Sequence, residues 1–288
     1  MSIVKDILFK LHRKCTSCPS PREANQQMYQ LLSTDKPLMI ARFGAVEIKM
    51  MLYAMLPWPL NLLLKWKVYE NAHICAGFFP VDDNHLRRFA KRMLQDIKEL
   101  DILASWRPEE LLLRSRLKHV RLVTLRSIQP IDRPQTYLTA LKGKRVLVVS
   151  PFAETILSQY TKHRTQLFHD EIIPEFASLE AVKAIQTAGG GESDFTSWFD
   201  ALKYMEDEID RHDYDVALLG CGAYGFPLAA HCKRRGKQAI HIGGTLQLFF
   251  GIAGRRWCPN GLPNPYWVWP SKEDRPKDYL KVEGGCYW

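Results

Sequence analysis

The stretch Lys144-Arg145-Val146-Leu147-Val148-Val149-Ser150 is a near-continuous apolar run, unbroken from Val146 to Val149. A strand with one wet face alternates apolar and polar residues. A strand that is apolar throughout has to be covered on both sides, which is the habit of a parallel sheet. Residues 37–43 (ending at Gly44), 120–125, 215–219 and 238–242 read the same way. Helical spacing lies between these runs. Phe195, Trp198, Phe199, Leu202, Met205 and Ile209 repeat on one face, with Ser193 and Asp194 as candidate caps. Strand–helix alternation of this kind predicts an α/β architecture: a Rossmann-like, doubly wound, mainly parallel sheet with helices on both faces. Such sheets bind ligands at the carboxyl ends of their strands.

A length of 288 residues suits one large domain or two small ones. The expected division is an amphipathic N-terminal segment over 1–19 and a single domain over 20–288. In the first segment Ile3, Val4, Ile7, Leu8 and Leu11 share a helical face, while Lys5, Lys10, Arg13 and Lys14 fall mostly elsewhere. The lysines interrupt the apolar residues and no small-residue cleavage site follows, so the pattern is not that of a secretory signal. The expectation is a helix packed on the core, with a membrane-surface helix as the alternative. A second apolar stretch, residues 50–64, is broken by Pro57, Pro59 and Asn61 and is too short to span a bilayer. It reads as helix, turn and second helix. The alternative is an interfacial wedge that meets a lipid-linked substrate. Seven cysteines form no dense framework, and Cys15 and Cys18 make a lone CxxC, so reduced thiols in the cytoplasm are expected. Peripheral contact with the inner membrane face stays open.

Forty Lys and Arg against 31 Asp and Glu give a net charge of +9, which favours an anionic partner. Most of that excess sits in one stretch. From Val216 to Ser271 there is no Asp or Glu, while Lys233, Arg234, Arg235, Lys237, Arg255 and Arg256 all lie there. The same stretch opens with Gly220-Cys221-Gly222-Ala223-Tyr224-Gly225, a GxGxxG loop after a strand and before a helix. Glycines there permit close backbone approach to a phosphate, and the helix start supplies free N–H groups. A dinucleotide site needs an acid about 20 residues later for the ribose, and none is present. The pattern therefore fits diphosphate better than NAD, with a 2′-phosphate on Arg234 or Arg235 as the NADP alternative. A packing turn with a solvated basic face is the structural alternative. No helix-turn-helix, zinc-finger or RNA-recognition pattern accompanies the charge, so nucleic acid is not the expected partner.

Three other strand ends carry candidate chemistry. His241-Ile242-Gly243-Gly244 opens a second helix start beside the first. Arg42, Gly44 and Glu47 follow the first strand, where Glu47 is a candidate base, metal ligand or helix cap. Glu154 follows the strongest strand. The loop 188–192 is a candidate lid or a plain connector. Trp257, Trp267, Trp269, Tyr287 and Trp288 offer aromatic faces for a sugar or base, or for core packing.

The run Ala41-Arg42-Phe43-Gly44-Ala45-Val46-Glu47 resembles the Arg-Phe-Gly-Asp-Gly-Glu signature of GT-D-type glycosyltransferases. The stretch 220–244 is similar to that family's late strand, glycine loop, helix and strand, and residues 255–288 resemble the close of bacterial proteins in the wider group. The resemblance implies transfer of a sugar from a nucleoside diphosphate donor to a surface-polysaccharide or other glycoconjugate acceptor. On that reading Gly220, Gly222, Tyr224, Gly225, Gly243, Gly244, Arg42, Gly44, Arg255 and Arg256 are expected around the donor, and Glu47, Glu154 and His241, as carboxylates or an imidazole near strand ends, are the candidates for the chemistry. The family's Asp–x–Glu element is associated with a divalent metal, Mn²⁺ or Mg²⁺. Here Glu47 matches the Glu, and Ala45 stands where the Asp would be. The rival readings are an NADP-dependent oxidoreductase and a non-catalytic nucleotide-sugar-binding protein.

Overall fold

The computed structural model describes residues 2–129, 136–168 and 172–288, with side chains throughout except at positions 2–5 and 13. Seven strands form one sheet: β1 (Leu38–Ala41), β2 (Ile102–Ser105), β3 (Arg121–Thr124), β4 (Arg145–Ser150), β5 (Ser178–Lys183), β6 (Val216–Leu219) and β7 (Gln238–His241). Their order is β3-β2-β1-β7-β6-β4-β5, and every adjacent pair is parallel. The middle of the sheet is held in register by Ile40 opposite both Ile102 and Ile240, and by Leu218 opposite both Ile240 and Val148.

Nine α-helices are described: α1 (Ser2–Cys15), α2 (Pro21–Leu32), α3 (Ala45–Met55), α4 (Leu62–Ile74), α5 (Asp83–Asp96), α6 (Ala153–His163), α7 (Trp198–Asp210), α8 (Gly225–Arg234) and α9 (Leu246–Phe249). The pleat sends alternate strand residues to opposite faces. Met39, Ala41, Leu103, Leu147, Val149, Ala217 and Leu219 pack with Ile48, Phe89, Met93, Trp198, Met205 and Leu228 of α3, α5, α7 and α8. Leu38, Ile40, Ile102, Val146, Val148, Val216 and Leu218 pack with Met28 of α2, Ile156 of α6 and Phe249 of α9. Both faces are therefore covered, as the unbroken apolar runs require.

All five strands expected from the sequence are present, and β2 and β5 are additional. Strand β2 is four residues long and wholly buried, and β5 is an edge strand whose Glu180 and Lys183 face solvent. Helix α7 begins later than expected. Ser197, not Ser193 or Asp194, is its N-cap and accepts from the Asp200 N–H. Phe195 precedes the helix and packs on Tyr204.

Helix α1 departs further from expectation. Its Ile7, Leu8 and Leu11 are exposed rather than buried in the core, and the side chains of Ile3, Val4, Lys5 and Arg13 lie outside the described residues. The helix is fastened through buried His12, whose Nε2 lies 3.0 Å from Ser105 Oγ and 3.4 Å from Glu110 Oε2. No described helix is long and apolar enough to cross a membrane.

Candidate functional site

A cavity of about 360 Å³ opens along the carboxyl edge of the sheet. Each strand sends residues to it: Arg42 after β1, Trp106 after β2, Gln129 after β3, Pro151 after β4, Thr187 after β5, Gly222 after β6 and Thr245 after β7. The strand order explains the position. The chain leaves β4 towards β5 on one side and leaves β6 towards β7 on the other, so the loops after β4 and β6 part and leave a crevice between them.

The β1 loop supplies the charged groups. Helix α3 starts at Ala45 with Gly44 as its N-cap, and Glu47 sits in its first turn. The Glu47 carboxylate folds back over Gly44: a Cβ at position 44 would fall 1.8 Å from its Oε2. Gly44 is thus explained by its neighbour, since its φ of −72° suits any residue. The carboxylate rests at the positive end of α3, a favourable place for an anion. Arg42 also lines the cavity. Its Nη1 reaches the Phe43 carbonyl at 3.5 Å, its buried Nε has no hydrogen-bond partner, and no carboxylate lies within ion-pair distance among the described residues.

The glycines divide into two kinds. Gly222 has φ +57° and borders the cavity. A Cβ placed on it would have nothing within 4 Å, so its backbone faces open space. The others make room for the protein itself. A Cβ at Gly243 would meet the Arg42 guanidinium at 2.2 Å, one at Gly244 would meet the Tyr287 ring at 2.2 Å, and one at Gly225 would meet His241 at 2.1 Å. Gly220 is closed off by Leu246. Gly220 and Gly244 still border the cavity, whereas Gly225 and Gly243 do not. Tyr224 lines the cavity with its ring stacked on Trp198 at 4.9 Å.

The C-terminal stretch forms the remaining wall. Trp257, Val282, Glu283, Tyr287 and Trp288 line it together with Arg256. The Arg256 guanidinium lies 5.5 Å from both the Trp257 and Tyr287 ring centres and is ion-paired with Glu283. Arg255 is exposed and does not line the cavity. The aromatic residues divide similarly. Trp267 is buried and donates to the Leu167 carbonyl at 2.9 Å, and Trp269 lies off the cavity. The loop 188–192 is stitched down: Gly189 N–H donates to Ile74 O, and Asp278 N–H donates to Gly189 O, both at 2.8 Å. It is a connector, with only Ala188 on the cavity.

Several expected participants stand elsewhere. Glu154 is on the exposed side of α6, 3.4 Å from Lys183. His241 is fully buried beneath the floor, with Nδ1 3.3 Å from the Leu219 carbonyl. Burial first, and then the nearby Arg42 charge, hold its pKa down at about 3, so it is a neutral structural imidazole at ordinary pH. The basic cluster at 233–237 sits at the far end of α8 from the glycine loop and is paired there. Lys233 meets Asp101 at 2.7 Å, Arg234 meets Asp96 at 2.8 Å, Arg235 meets Asp210 at 3.2 Å and Lys237 meets Asp213 at 3.7 Å. These cations balance acids from other elements and are not presented to the cavity, which removes the support for a 2′-phosphate site at Arg234 or Arg235.

The cavity also gathers residues that the sequence reading did not single out. Trp106 is fixed by its Nε1 donating to the Phe43 carbonyl at 2.9 Å. Gln129 donates to Thr245 Oγ1 at 2.7 Å. Gln247 spends its amide N–H groups on the Ala253 and Tyr287 carbonyls, at 2.6 and 3.0 Å, and so ties the tail to the β7 loop. Trp106 follows the unrecognised β2. The run Ile102-Leu103-Ala104 shortly before Trp-Arg-Pro was the signal that would have found it.

The donor set does not suit a protein-held divalent ion. The wall carries two carboxylates, Glu47 and Glu283. Glu283 is engaged by Arg256, and Ala45 contributes no ligand. Among the described residues no three His, Cys, Asp or Glu side chains converge.

No protein-family model matches the chain, and no curated protein matches it. Two solved structures are similar to it in chain path. One is described as "A New Glycosyltransferase (DUF1792) from Streptococcus sanguinis", with 13% identity, a TM-score of 0.39, and coverage of 80% of this chain and 81% of that one. The other is a selenomethionine-substituted structure of domain of unknown function 1792, with 13% identity, a TM-score of 0.38, and coverage of 78% and 80%.

Proposed function

We propose that the protein is a glycosyltransferase whose cavity holds a nucleoside diphosphate sugar. The observation that carries this reading is a convergence. Arg42, which has no carboxylate partner among the described residues, lines the same cavity as the start of α3 and the open backbone at Gly222, with Trp106, Tyr224, Trp257 and Tyr287 around them. A diphosphate needs fixed positive charge and N–H donors, and a base or sugar ring stacks on aromatic faces.

In the transfer, the acceptor hydroxyl bonds to the anomeric carbon as the bond to the diphosphate oxygen breaks. Negative charge grows on the leaving diphosphate. Arg42 and the amide groups of the Gly222 segment stabilise it. One such fixed donor is typically worth about 10²–10³ in kcat. Glu47, the cavity carboxylate not engaged by an arginine, takes the proton of the acceptor hydroxyl.

The test is calorimetric titration with UDP, GDP and CDP and their sugars, followed by assay of donor consumption. One diphosphate should bind, and its sugar should turn over. Glu47→Gln should keep the binding and lose turnover, while Arg42→Ala should weaken binding about tenfold or more. Binding without turnover in any acceptor mixture would make the chain a nucleotide-sugar binder. Binding of NADPH alone would overturn the reading.

A further inference from the structure

The most exposed large apolar side chains lie on neighbouring elements. Trp58 (77% exposed), Leu63 (86%) and Trp66 (84%) stand at the α3–α4 turn and the first turns of α4, beside Leu60, Leu62 and Leu64. Leu112 is exposed in the 3-10 segment Pro108–Leu113, and Ile7, Leu8 and Leu11 are exposed on α1. Helix α1 packs on that segment, the segment packs on α3, and α3 packs on α4, so these side chains sit on a run of elements in contact with one another.

Residues 48–69 contain Lys49, Lys65 and Lys67 and no Asp or Glu, although Lys65 pairs with Asp83 of α5. Arg114, Arg116 and Lys118 follow Leu112, are exposed, and have no carboxylate within ion-pair distance among the described residues. Projecting Trp and Leu tips with cations beside them are the composition of an element that enters the headgroup region of a bilayer. The Trp ring sits at headgroup depth, Leu goes below it and the cations meet anionic lipid. A second copy of the chain fits less well, because a two-fold contact through this face would set its cations against their own kind. We propose that the α3–α4 turn, supported by the segment around Leu112, docks the protein on an anionic bilayer.

Helix α4 connects that surface to the cavity. Its first two turns carry Leu63 and Trp66, and Cys75 and Ala76, just past its last turn, line the cavity wall. Thirteen residues of helix span roughly 20 Å. A bound bilayer therefore lies within one helix length of the site. The docking itself stands whether or not the cavity transfers sugars.

The test uses the full chain without nucleotide, sedimented with vesicles of phosphatidylcholine alone or with phosphatidylglycerol added. The chain should pellet with the anionic vesicles, and its tryptophan emission should shift to the blue. Leu63→Glu with Trp66→Glu should keep the wild-type circular dichroism and Tm and lower partitioning by about tenfold or more. Reversing Arg114, Arg116 and Lys118 to Glu should weaken binding to the anionic vesicles. Equal pelleting of the double variant, or no pelleting of the wild type with either vesicle, would overturn the proposal. So would a wild-type dimer in sedimentation velocity that Leu63→Glu dissociates, which would assign the face to a second copy. Because no nucleotide is present, a failure here is separate from a failure of the donor titrations.

Discussion

A methyl group at position 44 would strike the Glu47 carboxylate, the far end of a flexible side chain that can swing away. Gly44→Ala should therefore leave Tm and donor affinity nearly unchanged while transfer falls by about tenfold to a hundredfold, because the base is no longer in place. Comparing kcat with the titrated Kd checks it. His241 makes a different prediction. Its folded pKa is held down at about 3, chiefly by burial, against an ordinary value of 6.5. Below about pH 6.5 the unfolded chain takes up a proton that the native state refuses, so stability falls as pH falls, by up to about 1.4 kcal/mol per pH unit. Urea unfolding at pH 7, 6 and 5 should show that slope, and His241→Gln should remove its share of it. At this scale the sequence was half legible. Arg42 and Glu47 could be found because they end an obvious strand. The glycines could not be sorted, because what fills the space beside Gly225, Gly243 and Gly244 comes from His241, Arg42 and Tyr287, and sequence spacing carries no record of such contacts.

Helices α3, α4 and α5 are knotted at Asp83. Its Oδ1 accepts from the Tyr53 and Tyr69 hydroxyls, both at 2.7 Å, and its Oδ2 accepts from Lys65 at 3.1 Å. The Tyr69 hydroxyl first, then that of Tyr53, lowers the Asp83 pKa to about 2. Asp83→Ala removes the acceptor shared by all three and should cost about 2–4 kcal/mol. Denaturant midpoints would read that loss. Amide exchange should locate the loosening at α4 rather than at the sheet. The stabilisation that comes from the lowered pKa is present above the ordinary carboxylate pKa near 3.8 and fades as pH drops through about 2, so it begins to fail only at the acid end of the window in which His241 acts. Elements were legible where an apolar run stood clear of its flanks. Strand β4, with four successive apolar residues, announced itself. Strand β2 is as short as β1, β6 and β7 but runs through Ser105 straight into Trp106, and β5 mixes Glu180 and Lys183 among its apolar residues at a solvent edge and mimics a polar segment.

Over the whole molecule, the architecture followed from apolar patterning, but the charge did not follow from charge counting. The acid-free stretch from Val216 to Ser271 looked like a phosphate-facing surface because its cations share a segment with the glycine loop. Helix α8 separates them: the loop is at its start, and Lys233, Arg234 and Arg235 are at its end, on acids of other elements. Arg42, which does line the cavity, lies far upstream in the chain. A ligand spanning the crevice touches loops from both halves of the sheet, so it should stabilise the molecule as one unit. At a hundred times Kd, the expected gain is about 2.7 kcal/mol, read as a single shifted melting transition. The strand order also bears on how the protein comes into being. As the chain emerges, β1, β2 and β3 can assemble as one ribbon and β4 with β5 as another, each with an open edge. Strands β6 and β7 arrive later and occupy the gap between them, joining residues 38–40 to 238–240. Until that insertion β1 and β4 are unguarded templates for the wrong partner, and the cavity has no floor. The seam proposed to bind the ligand is also the seam that would close the fold, so a nascent chain would acquire its site and its protection from aggregation in the same event.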